Sequence, residues 1–106
     1  MRETELQNAV VELARITGWR TLHVRRSIGK GHRWQTTTSL VGWPDLLLWR
    51  PGRIIAAELK SDDGRLTVEQ SDVLDSLAVA GIETYVWRPA DLDRIAMLLN
   101  PHSHAA

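Results

Sequence analysis

The chain has 106 residues, no cysteine, and thirteen basic against thirteen acidic side chains. This length predicts one compact domain, and the lack of cysteine excludes disulfides, thiolate nucleophiles and zinc–cysteine sites. No apolar run approaches the ~20 residues that cross a bilayer. The polar opening MRETELQ lacks the basic and apolar parts of a secretory signal. We therefore expect a cytoplasmic protein without membrane association.

The predicted elements follow from local patterns. Apolar periodicity predicts helices over residues 3–17, 66–80 and 90–99, and short apolar or alternating runs predict strands over residues 20–26, 45–49, 54–59 and 82–87. The order α-β-β-β-α-β-α predicts an α/β fold with a mixed four-stranded sheet flanked by helices, in which an antiparallel meander precedes a parallel crossover. A single domain over residues 1–101 and a disordered tail over 102–106 complete the expectation.

The neutral net charge hides two segments of opposite sign. Between Leu13 and Ala57 there are eight basic residues and one acid, whereas the chain from Glu58 onward has four basic and nine acidic residues. A cationic half favours a polyanionic partner, although a solvated basic face would have the same composition.

The segment over residues 27–43 is too long for a simple connection, and loops of this length are usually functional or mobile. Its basic residues and those just before it suit phosphate contacts, and its tryptophan suits stacking on an unpaired base. We expect the following residues to bind nucleic acid, with a solvated loop as the alternative: Arg25, Arg26, Lys30, Arg33 and Trp34.

The predicted hairpin places three charged side chains together. Pro51 and Gly52 suit the centre of a type II turn, so opposed residues have numbers that sum to 103, as 51 and 52 do. Asp45 then faces Glu58, with Cβ atoms ~4.5–5.5 Å apart. Lys60 points to the same face because side chains alternate along a strand. A β-bulge would shift this register by one residue.

Two opposed carboxylates repel unless a cation lies between them or one takes up a proton. Both lie in apolar strands, where unpaired charges are expensive. Oxygen ligands suit Mg²⁺ or Mn²⁺, which polarise a phosphoryl oxygen and lower the pKa of water. Lys60 would then orient or deprotonate that water or stabilise charge on a phosphorane. The alternative is an Asp/Glu/Lys ion-pair cluster that holds strand register.

The string GWPD ending at Asp45, followed after twelve residues by ELK from Glu58 to Lys60, resembles the PD-(D/E)xK nuclease motif. The strings ETELQ, AAELKS, LTVEQ and YVWRP extend this resemblance to the small stand-alone VRR-NUC nucleases of bacteriophages and bacteria. The resemblance implies a restriction-endonuclease-like fold and phosphodiester hydrolysis with Mg²⁺ or Mn²⁺. It also implies that Asp45, Glu58 and the main-chain carbonyl of Leu59 bind the metal, and that Lys60 is catalytic.

The same resemblance implies two further catalytic residues, an acid in the first helix and a glutamine at the start of the second. Glu3 and Glu5 compete for the first position, and helical projection favours Glu3 because it lies on the apolar stripe of Leu6. Glu3 would otherwise only favour the helix N-terminus. Gln70 completes a capping box with Thr67 but also faces the sheet, which favours the active-site role.

These inferences lead to a metal-dependent DNA endonuclease of a bacterial or phage-infected cell. A chain of this size has little surface for reading sequence, so we expect it to select branched DNA such as four-way junctions. A homodimer would double the contact surface and supply two active sites. One alternative is a non-catalytic nucleic-acid-binding module, which would not need opposed carboxylates. The other is a sequence-specific restriction or nicking nuclease that needs a partner.

Overall fold

The structure, a computed structural model, describes residues 1–24 and 41–101. Its elements in chain order are α1 (Glu3–Ile16), β1 (Arg20–His23), β2 (Leu46–Arg50), β3 (Arg53–Leu59), α2 (Val68–Val79), β4 (Glu83–Trp87), a 3₁₀ turn (Pro89–Asp91) and α3 (Leu92–Leu99). None of the helices in these two ranges is both long and apolar enough to cross a membrane. The predicted element order is confirmed, except that the third helix starts later, after the 3₁₀ turn.

The four strands form one sheet in the order β1-β2-β3-β4. The β1–β2 and β2–β3 pairs are antiparallel, and β4 runs parallel to β3. The predicted meander and parallel crossover are therefore confirmed. The hairpin register is also confirmed, because Trp49 lies opposite Ile54 and Leu46 lies opposite Ala57.

The main core lies between one face of the sheet and the helices α1 and α3. Leu6 of α1 and Ile95 of α3 pack in the same buried cluster as Leu48 and Ile55 from the two central strands. Burial of these apolar side chains is the main stabilising contribution to such a fold.

Helix α2 covers part of the opposite face. Ala57 and Leu59 point into the α1/α3 core, so Glu58 between them points the other way. Gln70 of α2 contacts Glu58 there. The sheet thus has a helix-covered core on one side and the three charged side chains beside α2 on the other.

The first strand, predicted over residues 20–26, ends at His23, and residues 25 and 26 lie outside the described residues. Its side chains alternate as predicted, but its apolar side chain faces outward. Leu22 is 50% exposed, whereas His23 is partly buried and its Nδ1 lies 2.9 Å from Gln7 Nε2 of α1. The reason is the pairing of Leu22 with Leu47, which places both on the face away from α1. In this four-residue edge strand, the pairing with β2 decides which side chains face the core, and the composition of the strand does not.

Candidate active site

Asp45 and Glu58 meet at the end of the β2–β3 hairpin that is remote from its turn. The backbone N–H of Asp45 donates to Glu58 Oε1 over 3.2 Å, and the backbone N–H of Leu59 donates to Asp45 Oδ2 over 2.9 Å. Each carboxylate therefore accepts a hydrogen bond from the opposite strand. The structure thus brings the two acids together as the hairpin register predicts.

Lys60 and Gln70 complete the cluster around Glu58. The Lys60 ammonium lies 3.5 Å from Glu58 Oε2, and Gln70 Nε2 donates to the same oxygen over 2.7 Å. The Glu58 side chain is 2% exposed and that of Lys60 is 14% exposed. Most of the cluster is therefore removed from water, where charge–charge interactions are stronger than at the surface.

Gln70 makes the capping box and also contacts Glu58, and its catalytic role stays a prediction. Its Oε1 accepts a hydrogen bond from the Thr67 backbone N–H over 2.9 Å, while Thr67 Oγ1 accepts one from the Gln70 backbone N–H over 3.0 Å. This reciprocal capping box leaves the amide nitrogen of Gln70 directed at Glu58. The helix cap therefore fixes the side chain that orients the carboxylate.

The electrostatics of the cluster leave negative charge poorly compensated. The pKa of Glu58 is raised from 4.5 to about 7, first by burial and then by the neighbouring Asp45 charge, whose effect is larger than the opposing effect of Lys60. One ammonium thus does not balance two carboxylates in this environment. A proton or a bound cation is needed to stabilise the pair.

Gly42 allows the backbone before Asp45 to pack closely against the backbone of α2. Its φ is +93°, and a Cβ there would lie 2.5 Å from the carbonyl carbon and oxygen of Glu69 and 2.8 Å from the backbone nitrogen of Gln70. Only glycine allows this close approach of two backbones. Sequence reasoning included Gly42 in the nuclease motif without giving it a role, and its position three residues before Asp45 was the available signal.

The donor set fits a hard divalent cation. Asp45 and Glu58 supply carboxylate oxygens, and the Leu59 backbone runs beside them because its N–H is bound to Asp45. Within residues 1–24 and 41–101 no three His, Cys, Asp or Glu side chains cluster as a metal site. Mg²⁺ commonly uses only one or two carboxylates, with water and substrate phosphate as its other ligands.

The first helix contacts the site end of the sheet through Gln7. Gln7 bonds His23, which pairs with Leu46, the residue after Asp45. Glu5 accepts a hydrogen bond from the Arg2 backbone N–H over 3.0 Å, and its side chain is exposed. Glu3 is exposed in the first turn of the helix, so its catalytic role stays a prediction.

The predicted DNA-binding residues all lie outside the described residues. They are Arg25, Arg26, Lys30, Arg33 and Trp34. The predicted tail over residues 102–106 also lies outside them. Their roles stay predictions from sequence.

Comparisons of the chain with protein-family models, with curated proteins and with solved structures gave no match. The likeness to VRR-NUC nucleases therefore rests on the motif residues.

Proposed function

We propose that the protein is a Mg²⁺- or Mn²⁺-dependent DNA endonuclease that hydrolyses phosphodiester bonds. The observation that carries this proposal is the buried Glu58, which contacts Asp45, Lys60 and Gln70 and has a pKa raised to about 7. A cluster that only held strand register would be more stable with one acid and one base. The second carboxylate adds repulsion that a divalent cation would remove.

The proposed roles follow from the contacts. Asp45, Glu58 and the Leu59 carbonyl would hold the metal, which when bound polarises the phosphodiester and acidifies water. Lys60 would orient or deprotonate the attacking water or stabilise charge on the phosphorane. Gln70 would keep Glu58 in place through its 2.7 Å hydrogen bond.

The substrate proposal rests on charge and size. Eight basic residues lie between Leu13 and Ala57, and phosphate contacts of this kind give affinity without sequence information. We therefore propose selectivity for branched DNA, a homodimeric enzyme and a cytoplasmic location. The mixed sheet, with Asp45 and Glu58 opposed on a hairpin, agrees with the restriction-endonuclease-like fold that the motif implies.

A cleavage panel tests the proposal. Labelled duplex, flap, splayed-arm and four-way-junction DNAs are incubated with Mg²⁺, with Mn²⁺ or with EDTA. We expect metal-dependent cleavage that is lost in Asp45→Asn, because asparagine keeps an oxygen for the Leu59 N–H but removes the charge. The matched control is Asp75→Asn, which changes an exposed carboxylate of α2 and should keep full activity.

Two outcomes would contradict the proposed catalytic function or its site. DNA binding without cleavage under every metal condition would favour the non-catalytic module. Cleavage that survives in Asp45→Asn would place the chemistry elsewhere.

A further inference from the structure

Lys60 is followed by a tight turn whose position the strand pairing alone does not determine. The Lys60 backbone N–H donates to the Trp87 carbonyl over 3.0 Å at the end of the parallel β3–β4 pairing. The chain then reverses over residues 61–64, where the Gly64 N–H donates to the Ser61 carbonyl over 3.2 Å. The backbone N–H of Lys60 is thus anchored at the end of β4.

Arg88 joins this turn to the end of β4. It is the first residue after β4, and its Nη1 donates to the Ser61 carbonyl over 2.7 Å and to the Gly64 carbonyl over 2.6 Å. The Arg88 backbone is held in turn, because its N–H donates to Asp91 Oδ2 over 2.8 Å. One guanidinium nitrogen therefore holds both ends of the turn, and hydrogen bonds from a charged donor are the stronger kind.

The turn in its clamped position lies against the Lys60 side chain. A Cβ built on Gly64 would lie 3.5 Å from Lys60 Cδ and 3.0 Å from Ser61 Oγ. Gly64 thus lies close to the aliphatic part of Lys60, whose ammonium is 3.5 Å from Glu58 Oε2. A lysine side chain has four rotatable bonds, so contacts along its length restrict where the ammonium lies.

We propose that Arg88 is a positioning residue that fixes the Lys60 ammonium by clamping the turn over residues 61–64. The catalytic part of this inference rests on the proposed nuclease function, whereas the positioning part concerns only the folded chain. Arg88 acts through backbone carbonyls and not on the substrate. Its loss should therefore change how Lys60 is held and how fast the chemical step runs, but not how tightly DNA binds.

The positioning part is tested by amine labelling, which needs no substrate. Lys60 and Lys30 are the two lysines of the chain, so mass spectrometry after brief acylation gives the Lys60 rate relative to an internal reference. We expect Arg88→Met to raise the relative labelling of Lys60 several-fold. The control Arg94→Met removes an exposed guanidinium of α3 and should leave the ratio at its wild-type value.

Two further variants keep the inference testable if Arg88→Met does not fold. Arg88→Lys keeps a charged donor for the carbonyls and should recover much of the wild-type ratio. Arg88→Gln keeps a polar side chain at this position but removes the charged donor, and it should raise the labelling of Lys60 as Arg88→Met does. An unchanged Lys60 ratio in folded Arg88→Met, or in folded Arg88→Gln, would overturn the clamp.

The catalytic part is tested on a DNA that the wild-type protein cleaves. Arg88→Met should lower kcat and leave KM and DNA affinity unchanged, with partial rescue in Arg88→Lys. A raised KM at wild-type kcat would make Arg88 a substrate contact and refute the positioning role. If wild-type protein cleaves no DNA, the proposed function fails while the labelling result still decides on the clamp.

Discussion

Without bound metal, the protein should become less stable as the pH rises from about 5 to about 8, because of Glu58. Its pKa is raised from 4.5 to about 7 in the folded chain, so the folded state keeps a proton that the unfolded state has lost. Stability falls with pH wherever the folded state binds more protons. The contribution is complete below the unfolded pKa and is lost as the pH passes the folded one.

The size of the stability loss follows from the pKa shift of Glu58. At 1.36 kcal/mol for each pKa unit, a rise from 4.5 to about 7 corresponds to ~3 kcal/mol. A domain of about this size changes its Tm by ~4–8 °C per kcal/mol, which gives a fall of roughly 12–24 °C. Solvent at the partly exposed Lys60 ammonium, which is 14% exposed, screens the cluster, so this figure is an upper limit.

Urea denaturation in EDTA across this pH range measures how the free energy of unfolding changes with pH. The comparison is wild type against Glu58→Gln, because histidine titrations are common to both and cancel in the difference. Glu69→Gln, which alters an exposed carboxylate of α2, should keep the wild-type slope. Added Mg²⁺ should restore stability at the alkaline end, because it binds the ionised pair only in the folded state. Parallel stability curves for wild type and Glu58→Gln would refute the reasoning.

Further predictions concern the metal, the fold and the DNA contacts. Asp45→Asn should remove most of the rise in Tm that Mg²⁺ produces, and a rise that survives in this variant would place the ion elsewhere. Gly42→Ala should lower stability by several kcal/mol in urea denaturation, because its Cβ would lie 2.5 Å from a backbone carbonyl; a wild-type midpoint would contradict this close approach. Glu83→Gln should lower the free energy of unfolding by ~3 kcal/mol, because it breaks a pair whose side chains are 10% and 16% exposed. Glu12→Gln changes a pair whose side chains are 69% and 61% exposed, and it should leave the free energy of unfolding almost unchanged. Equal losses in the two variants would show that burial does not determine what an ion pair contributes. Arg33→Ala should weaken DNA binding equally at all sequences and flatten its salt dependence, and wild-type binding curves would exclude a phosphate contact.

Patterns close together in the chain were enough to predict the elements and the hairpin. Apolar spacing and turn residues act within a few positions of each other, so element order and the Trp49–Ile54 register followed from them. Asp45 and Glu58 could be paired because only one tight turn separates their strands. That two opposed carboxylates need a cation or a proton between them followed from the same register.

Contacts between residues distant in the chain were decided by packing. The outward side of Leu22 depends on its pairing with β2, and the pKa of Glu58 depends on burial under α2. Gln70 both caps α2 and donates a hydrogen bond to Glu58, because α2 begins where it meets the segment of Gly42. Arg88 holds carbonyls 24 and 27 positions earlier in the chain. Such contacts have no local pattern, because they form only when helices and strands dock and exclude water around polar groups that must then find partners.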